Sequence, residues 1–96
     1  MEETMSALSD QQIVSLLESV PELHIESEEL VRIFQFHDFV AAMRFVNHVA
    51  ELAEASGHHP DIDIRYNRVR LALITHDAGG LTRKDFDLAF QADKAI

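Results

Sequence analysis

The stretch Glu54-Ala55-Ser56-Gly57-His58-His59-Pro60-Asp61-Ile62-Asp63-Ile64-Arg65-Tyr66-Asn67 changes its hydrophobic period part-way, and that change decides the fold. Upstream of Gly57, Phe39, Met43, Val46, Ala50 and Ala53 recur at steps of four and three, widened by Ala42, Val49 and Leu52, which is the stripe of an amphipathic helix. Asp38 is a good N-cap for it, and Gly57 can take the left-handed conformation that ends it, so the helix is expected over 38–56. Arg44, Asn47, His48 and Glu51 fall on the opposite side. From Asp61 the period becomes two: Ile62, Ile64 and Tyr66 share one face, Asp61, Asp63 and Arg65 the other. Pro60 biases His59 toward an extended backbone, so the helix cannot run on into the strand.

Working outward, Tyr66-Asn67-Arg68 reads as a turn into Val69-Arg70-Leu71-Ala72-Leu73-Ile74-Thr75, whose Val69, Leu71 and Leu73 supply an apolar face, with Tyr66 packed on the core. The opposite face leaves Ala72 and Ile74 partly exposed, a hint of self-association. Upstream, Leu23–Glu26 and Leu30–Phe36 flank the polar Ser27-Glu28-Glu29 and form another hairpin. Ser9-Asp10-Gln11-Gln12 is a capping box ahead of Ile13, Leu16, Leu17 and Val20, a helix that Pro21 should end. Thr82-Arg83-Lys84-Asp85 caps a last helix carrying Phe86, Ala89 and Phe90. With residues 1–8 expected to fray, the chain 1–96 reads as one α+β domain of order α-β-β-α-β-β-α: a four-stranded antiparallel sheet with helices on one face.

Composition narrows the function. Seventeen acidic against eight basic residues give a formal charge of −9, which repels nucleic-acid backbones and anionic headgroups and argues against direct contact with either. No cysteine is present, so disulfides, thiolate nucleophiles and sulfur-ligated zinc are excluded. No apolar run approaches the roughly 18 residues of a membrane span, and the acidic start is unlike a signal peptide, so a cytoplasmic protein is expected.

The chemistry gathers at His58, His59 and His76. An imidazole titrates nearest neutrality and suits proton transfer or metal ligation. A lone His at a helix end is usually a dipole partner or a solvated group, and His24, His37 and His48 are read that way. Three imidazoles could hold zinc with one position open. Neighbours on an extended segment point apart, however, so the metal reading ranks last and no metal or cofactor is expected. Asp85 has two readings, as the capping-box carboxylate that reaches back to the Thr82 amide and as a carboxylate of the site. Arg83 and Lys84 oppose the helix dipole in the same turn.

These residues resemble the pterin-4a-carbinolamine dehydratases, also called dimerisation cofactors of a homeodomain transcription factor. The resemblance rests on Glu54, three spacers and His58-His59-Pro60; then, after five residues, Tyr66-Asn67; then His76 and, shortly after, Asp85. It extends over Phe34–Phe39, Phe45–Ala50 and Thr75–Thr82, nearly the whole chain from Ile33 onward. Two departures stand out. Many relatives carry Trp near Pro21-Glu22-Leu23-His24, and some carry an aromatic where this chain has Ile62; both bear on stacking against a pterin.

The resemblance implies a lyase that removes water from a 4a-hydroxytetrahydropterin to give quinonoid dihydropterin without metal or cofactor, recycling the cofactor of aromatic amino-acid hydroxylases. By the same resemblance His58 and His76 are the acid/base pair and His59 orients the pterin, while Pro60, Asp85 and Glu54 belong to the substrate site. It also implies a homodimer or homotetramer and a functional link to a hydroxylase. The alternative is a non-catalytic oligomerisation or interaction module that presents the 38–56 helix to a partner.

Overall fold

The computed structural model describes residues 7–96. Three helices, α1 (Asp10–Leu17), α2 (Phe39–Ser56) and α3 (Arg83–Lys94), accompany four strands, β1 (His24–Glu26), β2 (Glu29–Gln35), β3 (Asp61–Arg65) and β4 (Arg68–Leu73). The element order and the α+β class are those expected from the sequence. The sheet runs β1-β2-β4-β3, antiparallel throughout, so each hairpin contributes one central strand.

Register assigns the faces. Leu30, Arg32 and Phe34 of β2 lie opposite Leu73, Leu71 and Val69 of β4, and β3 adds Ile62 and Ile64 beside Leu71 and Val69. This face packs against the helices. Leu30, Leu73, Ala53, Phe86 and Leu88 form one buried cluster, and Phe34, Phe45, Val49, Val69 and Ala92 form another. Arg32 lies on the same face, with its Nε buried and, among the described residues, without a hydrogen-bond partner. Its guanidinium lies 4.2 Å from the centre of the Phe34 ring and donates to Asp93 of α3, so the cation joins sheet to helix.

Several local expectations are corrected. The buried side of α2 is Ala42, Phe45, Val49 and Ala53, while Phe39 and Ala50 stay exposed. The helix is rotated from the expected stripe because Phe45 packs at 4.4 Å from Phe34 and 5.1 Å from Phe36, ring centre to ring centre. Large aromatic area outweighs alanines in setting the phase. Tyr66 is 67% exposed rather than packed on the core. It occupies the two-residue loop between the paired Arg65 and Arg68 with φ of 54°, so period two ends one residue earlier. Asn67 anchors that loop, its side-chain amide donating to the Phe36 carbonyl at 2.6 Å.

Ala72 is buried, not partly exposed. Strand β4 stops at Leu73, and Thr75 forms only an isolated bridge with Gly80. α1 keeps its capping box but ends at Leu17, before Pro21 is reached. Of the segment expected to fray, residues 1–6 lie outside the described residues, and Leu8 is held: its N–H donates to the Leu81 carbonyl at 2.7 Å and its side chain packs on the core.

Candidate active site

The site lies where the C-terminus of α2, the chain after β4 and the first turn of α3 meet. At the end of α2, Gly57 has φ of 67°; its N–H donates to the Glu54 carbonyl and the His58 N–H to the Ala53 carbonyl. These two bonds form a Schellman motif, which fixes the backbone of His58 as it ends the helix. On the far side, Thr75 leads into a short 3₁₀ turn, His76–Ala78, closed by bonds from Ala78 N–H to the Thr75 carbonyl and Gly79 N–H to the His76 carbonyl. That turn presents His76 at the surface.

Gly57, His58, His59, Ile74, Thr75, His76, Asp77 and Lys84 line one cavity of about 280 Å³. It is thus bordered by all three histidines singled out in the sequence. A larger hollow of about 500 Å³ beside α1 contains no histidine, so volume alone does not mark the chemistry. Glu54, Pro60 and Asp85 do not line the histidine cavity. Glu54 stands behind His59, its carboxylate 2.8 Å from His59 Nε2 in an exposed pair. Such a pair contributes little to stability but restricts the ring.

Asp85 is fully buried beneath His58, with Oδ1 2.6 Å from His58 Nε2. Its other oxygen, Oδ2, accepts the Thr82 N–H at 2.9 Å and the Thr75 hydroxyl at 2.8 Å. The two readings of this carboxylate are therefore compatible: one oxygen completes the capping box of α3 and the other holds an imidazole. With Nε2 donating to a carboxylate, a neutral His58 keeps its lone pair on Nδ1, the arrangement that orients a general base. His58 and His59 each have Nε2 engaged by a carboxylate, on different elements.

Lys84 also lines the cavity, and together with His58 it borders a second hollow of about 170 Å³. The sequence signal for Lys84 was its unfavourable place in the first helical turn. Thr75 and Thr82, buried against Asp85, carried no such signal, because a strand threonine and a cap threonine are ordinary.

Residues 6–95 match the family described as Pterin 4 alpha carbinolamine dehydratase. The chain belongs to the pterin-4a-carbinolamine dehydratase family. A protein of Acidobacterium capsulatum bearing the name "Putative pterin-4-alpha-carbinolamine dehydratase" is 62% identical over 85 residues, covering 88% of this chain and 92% of its own. A Chloroflexus aurantiacus protein of the same name is 60% identical over 92 residues, covering 96% and 99%. The crystal structure of a transcriptional coactivator/pterin dehydratase from Brucella melitensis superposes with a TM-score of 0.90 at 29% identity, over 94% of this chain and 98% of that one. Among the described residues no helix is long and apolar enough to cross a membrane.

Proposed function

We propose that this dehydratase-family chain removes water from a 4a-hydroxytetrahydropterin by histidine acid/base catalysis. The observation that carries the reading is the single cavity bordered by His58, His59 and His76, with His58 held from behind by buried Asp85. Elimination breaks the C4a–O bond. One group must protonate the departing hydroxyl and another must accept a proton from a ring nitrogen. His58, oriented by a carboxylate, is the base through Nδ1. His76, reached from solvent, is the acid and regains its proton from water. Acid/base assistance of this kind is worth about 10²–10⁴ in rate.

His59, restrained by Glu54, borders the cavity where it can orient the flat ring, and Pro60 holds the segment extended. The product, quinonoid dihydropterin, fits a place in recycling the cofactor of an aromatic amino-acid hydroxylase in the cytoplasm, and the assembly is a homodimer or homotetramer. The test is the absorbance-monitored breakdown of freshly generated 4a-hydroxytetrahydropterin with and without the protein. Acceleration proportional to protein concentration supports the reading, and a folded protein that leaves the rate unchanged sinks it.

A second reading, an interaction module, has its own observation. Phe39 and Val40 at the start of α2 are 47% and 56% exposed, and Arg44, Asn47, His48 and Glu51 continue that outer face. Capture of a partner that depends on Arg44 and Glu51 but survives His58→Ala would favour it.

A further inference from the structure

Two buried hydroxyls stand behind the base side of the cavity, bonded to each other and, through Thr75, to Asp85. Thr75 Oγ1 is 2.8 Å from Asp85 Oδ2 and 2.8 Å from Thr82 Oγ1, and Thr75, Thr82 and Asp85 are at most 5% exposed. Proton accounting gives this chain one direction. As a carboxylate Asp85 can only accept, so the Thr75 hydroxyl proton goes to Oδ2. Thr75 then has no proton for Thr82, and the Thr82 hydroxyl must donate to Thr75 while accepting the Lys84 N–H at 3.2 Å. Asp85 Oδ1 is left facing His58 Nε2, which must carry a proton for the 2.6 Å contact to be a hydrogen bond.

The backbone of Thr75 is committed as well. Its N–H donates to the Gly80 carbonyl at 3.3 Å and its carbonyl accepts from Ala78, so it is the residue from which the turn bearing His76 springs. We infer that Thr75 is the positioning residue of the site. Its backbone places His76, and its hydroxyl, acting through Asp85, fixes the ring and the tautomer of His58. A valine would keep the shape of the side chain and the backbone while removing the proton that Asp85 receives. Asp85 could then turn from His58 toward its remaining donors, and the buried Thr82 hydroxyl would lose its acceptor.

The inference rests on the dehydratase reading for its kinetic arm only. Its first test needs no variant: two-bond proton–nitrogen correlations of the ¹⁵N-labelled wild-type protein, recorded at alkaline pH, should show His58 as a single Nε2–H tautomer. A dominant Nδ1–H form overturns the inference. In the kinetic arm, Thr75→Val should lower kcat about 10- to 100-fold, the worth of one hydrogen bond to a charged group, with KM within about threefold. His58 in that variant should become a mixture of tautomers, and Thr75→Ser should recover both readouts. A Thr75→Val protein with wild-type kcat and one tautomer overturns the inference. So does a serine variant as impaired as the valine one, since that would assign the effect to the methyl group and its packing. If the valine variant does not fold, Thr75→Ala takes its place with the same two readouts and the same overturning results. A wild-type protein without dehydratase activity would defeat the functional reading, whereas the tautomer measurement would still judge the role of Thr75.

Discussion

His58 Nε2 and Asp85 Oδ1 lie 2.6 Å apart although the two residues are 27 positions apart in the chain, and the carboxylate is fully buried while the imidazole reaches the cavity. One buried group thus serves both the first turn of α3 and the ring at the end of α2. Asp85→Asn tests that double duty. An amide oxygen in the place of Oδ2 can still accept the Thr82 N–H and the Thr75 hydroxyl, but the amide nitrogen then takes the place of Oδ1 and faces the Nε2–H of His58. Unfolding in urea should register a loss of about 1–3 kcal/mol for the mispaired buried groups. Turnover should fall by about 10² or more, since a misoriented imidazole of the wrong tautomer is a poor base. A variant that is destabilised yet turns over normally would reduce Asp85 to a helix cap.

His76→Ala should separate chemistry from stability in the opposite way. The imidazole is exposed on a three-residue turn, so its removal should shift the unfolding free energy by no more than about 0.5 kcal/mol. Dehydration should slow by about 10²–10⁴, the usual contribution of a general acid. Imidazole added to the assay should restore part of the rate if the missing group is a proton donor. An unchanged rate would remove His76 from the mechanism.

The architecture was legible because periodicity changes where the chain changes element: steps of three and four up to Ala53, steps of two from Asp61. Caps were legible for the same local reason, and Ser9, Asp38, Gly57 and Thr82 all do what their residue types predict. The phase of α2 was not. Its rotation is decided by Phe45 meeting Phe34 and Phe36, contacts between distant segments that no helical period encodes. In the candidate site, spacing pointed to His58, His59 and His76 but not to what stands behind them. Thr75 looked like one more strand residue, and its role depends on β4 ending at Leu73 so that the chain can turn toward α3.

Gly57→Ala probes the joint between helix and site. Gly57 has φ of 67°, and a Cβ built there meets no atom within 4 Å, so the penalty is backbone strain without a clash. The expected loss is about 1–2 kcal/mol by thermal or urea unfolding. Gly57→Asn should lose less, because asparagine tolerates the left-handed region better. If relief of strain unwinds the Schellman motif, His58 moves with it, and turnover should fall in the alanine variant more than in the asparagine one. Equal stability of glycine and alanine proteins would mean that the helix ends differently in solution.

Glu26 offers a pH test on the face of the sheet away from the helices. Its carboxyl is held below the ordinary value of 4.5, first by the hydrogen bond with His24 and then by that with Arg70, whose guanidinium is correspondingly held above its usual range. The contacts are 2.6 Å each. A carboxyl whose folded pKa is depressed stabilises the fold above its unfolded pKa, and that contribution is lost as pH falls through the folded one. The wild type should therefore exceed Glu26→Gln in stability at neutral pH. The difference should shrink as the solution is acidified from 4.5 downward, because the unfolded carboxyl is protonated first and the folded one after it. Because the pair is exposed, added salt should also narrow the gap at neutral pH. Urea midpoints of both proteins across that range, at low and high salt, measure it. A gap independent of both pH and salt would assign the effect to packing of the side chain rather than to its charge.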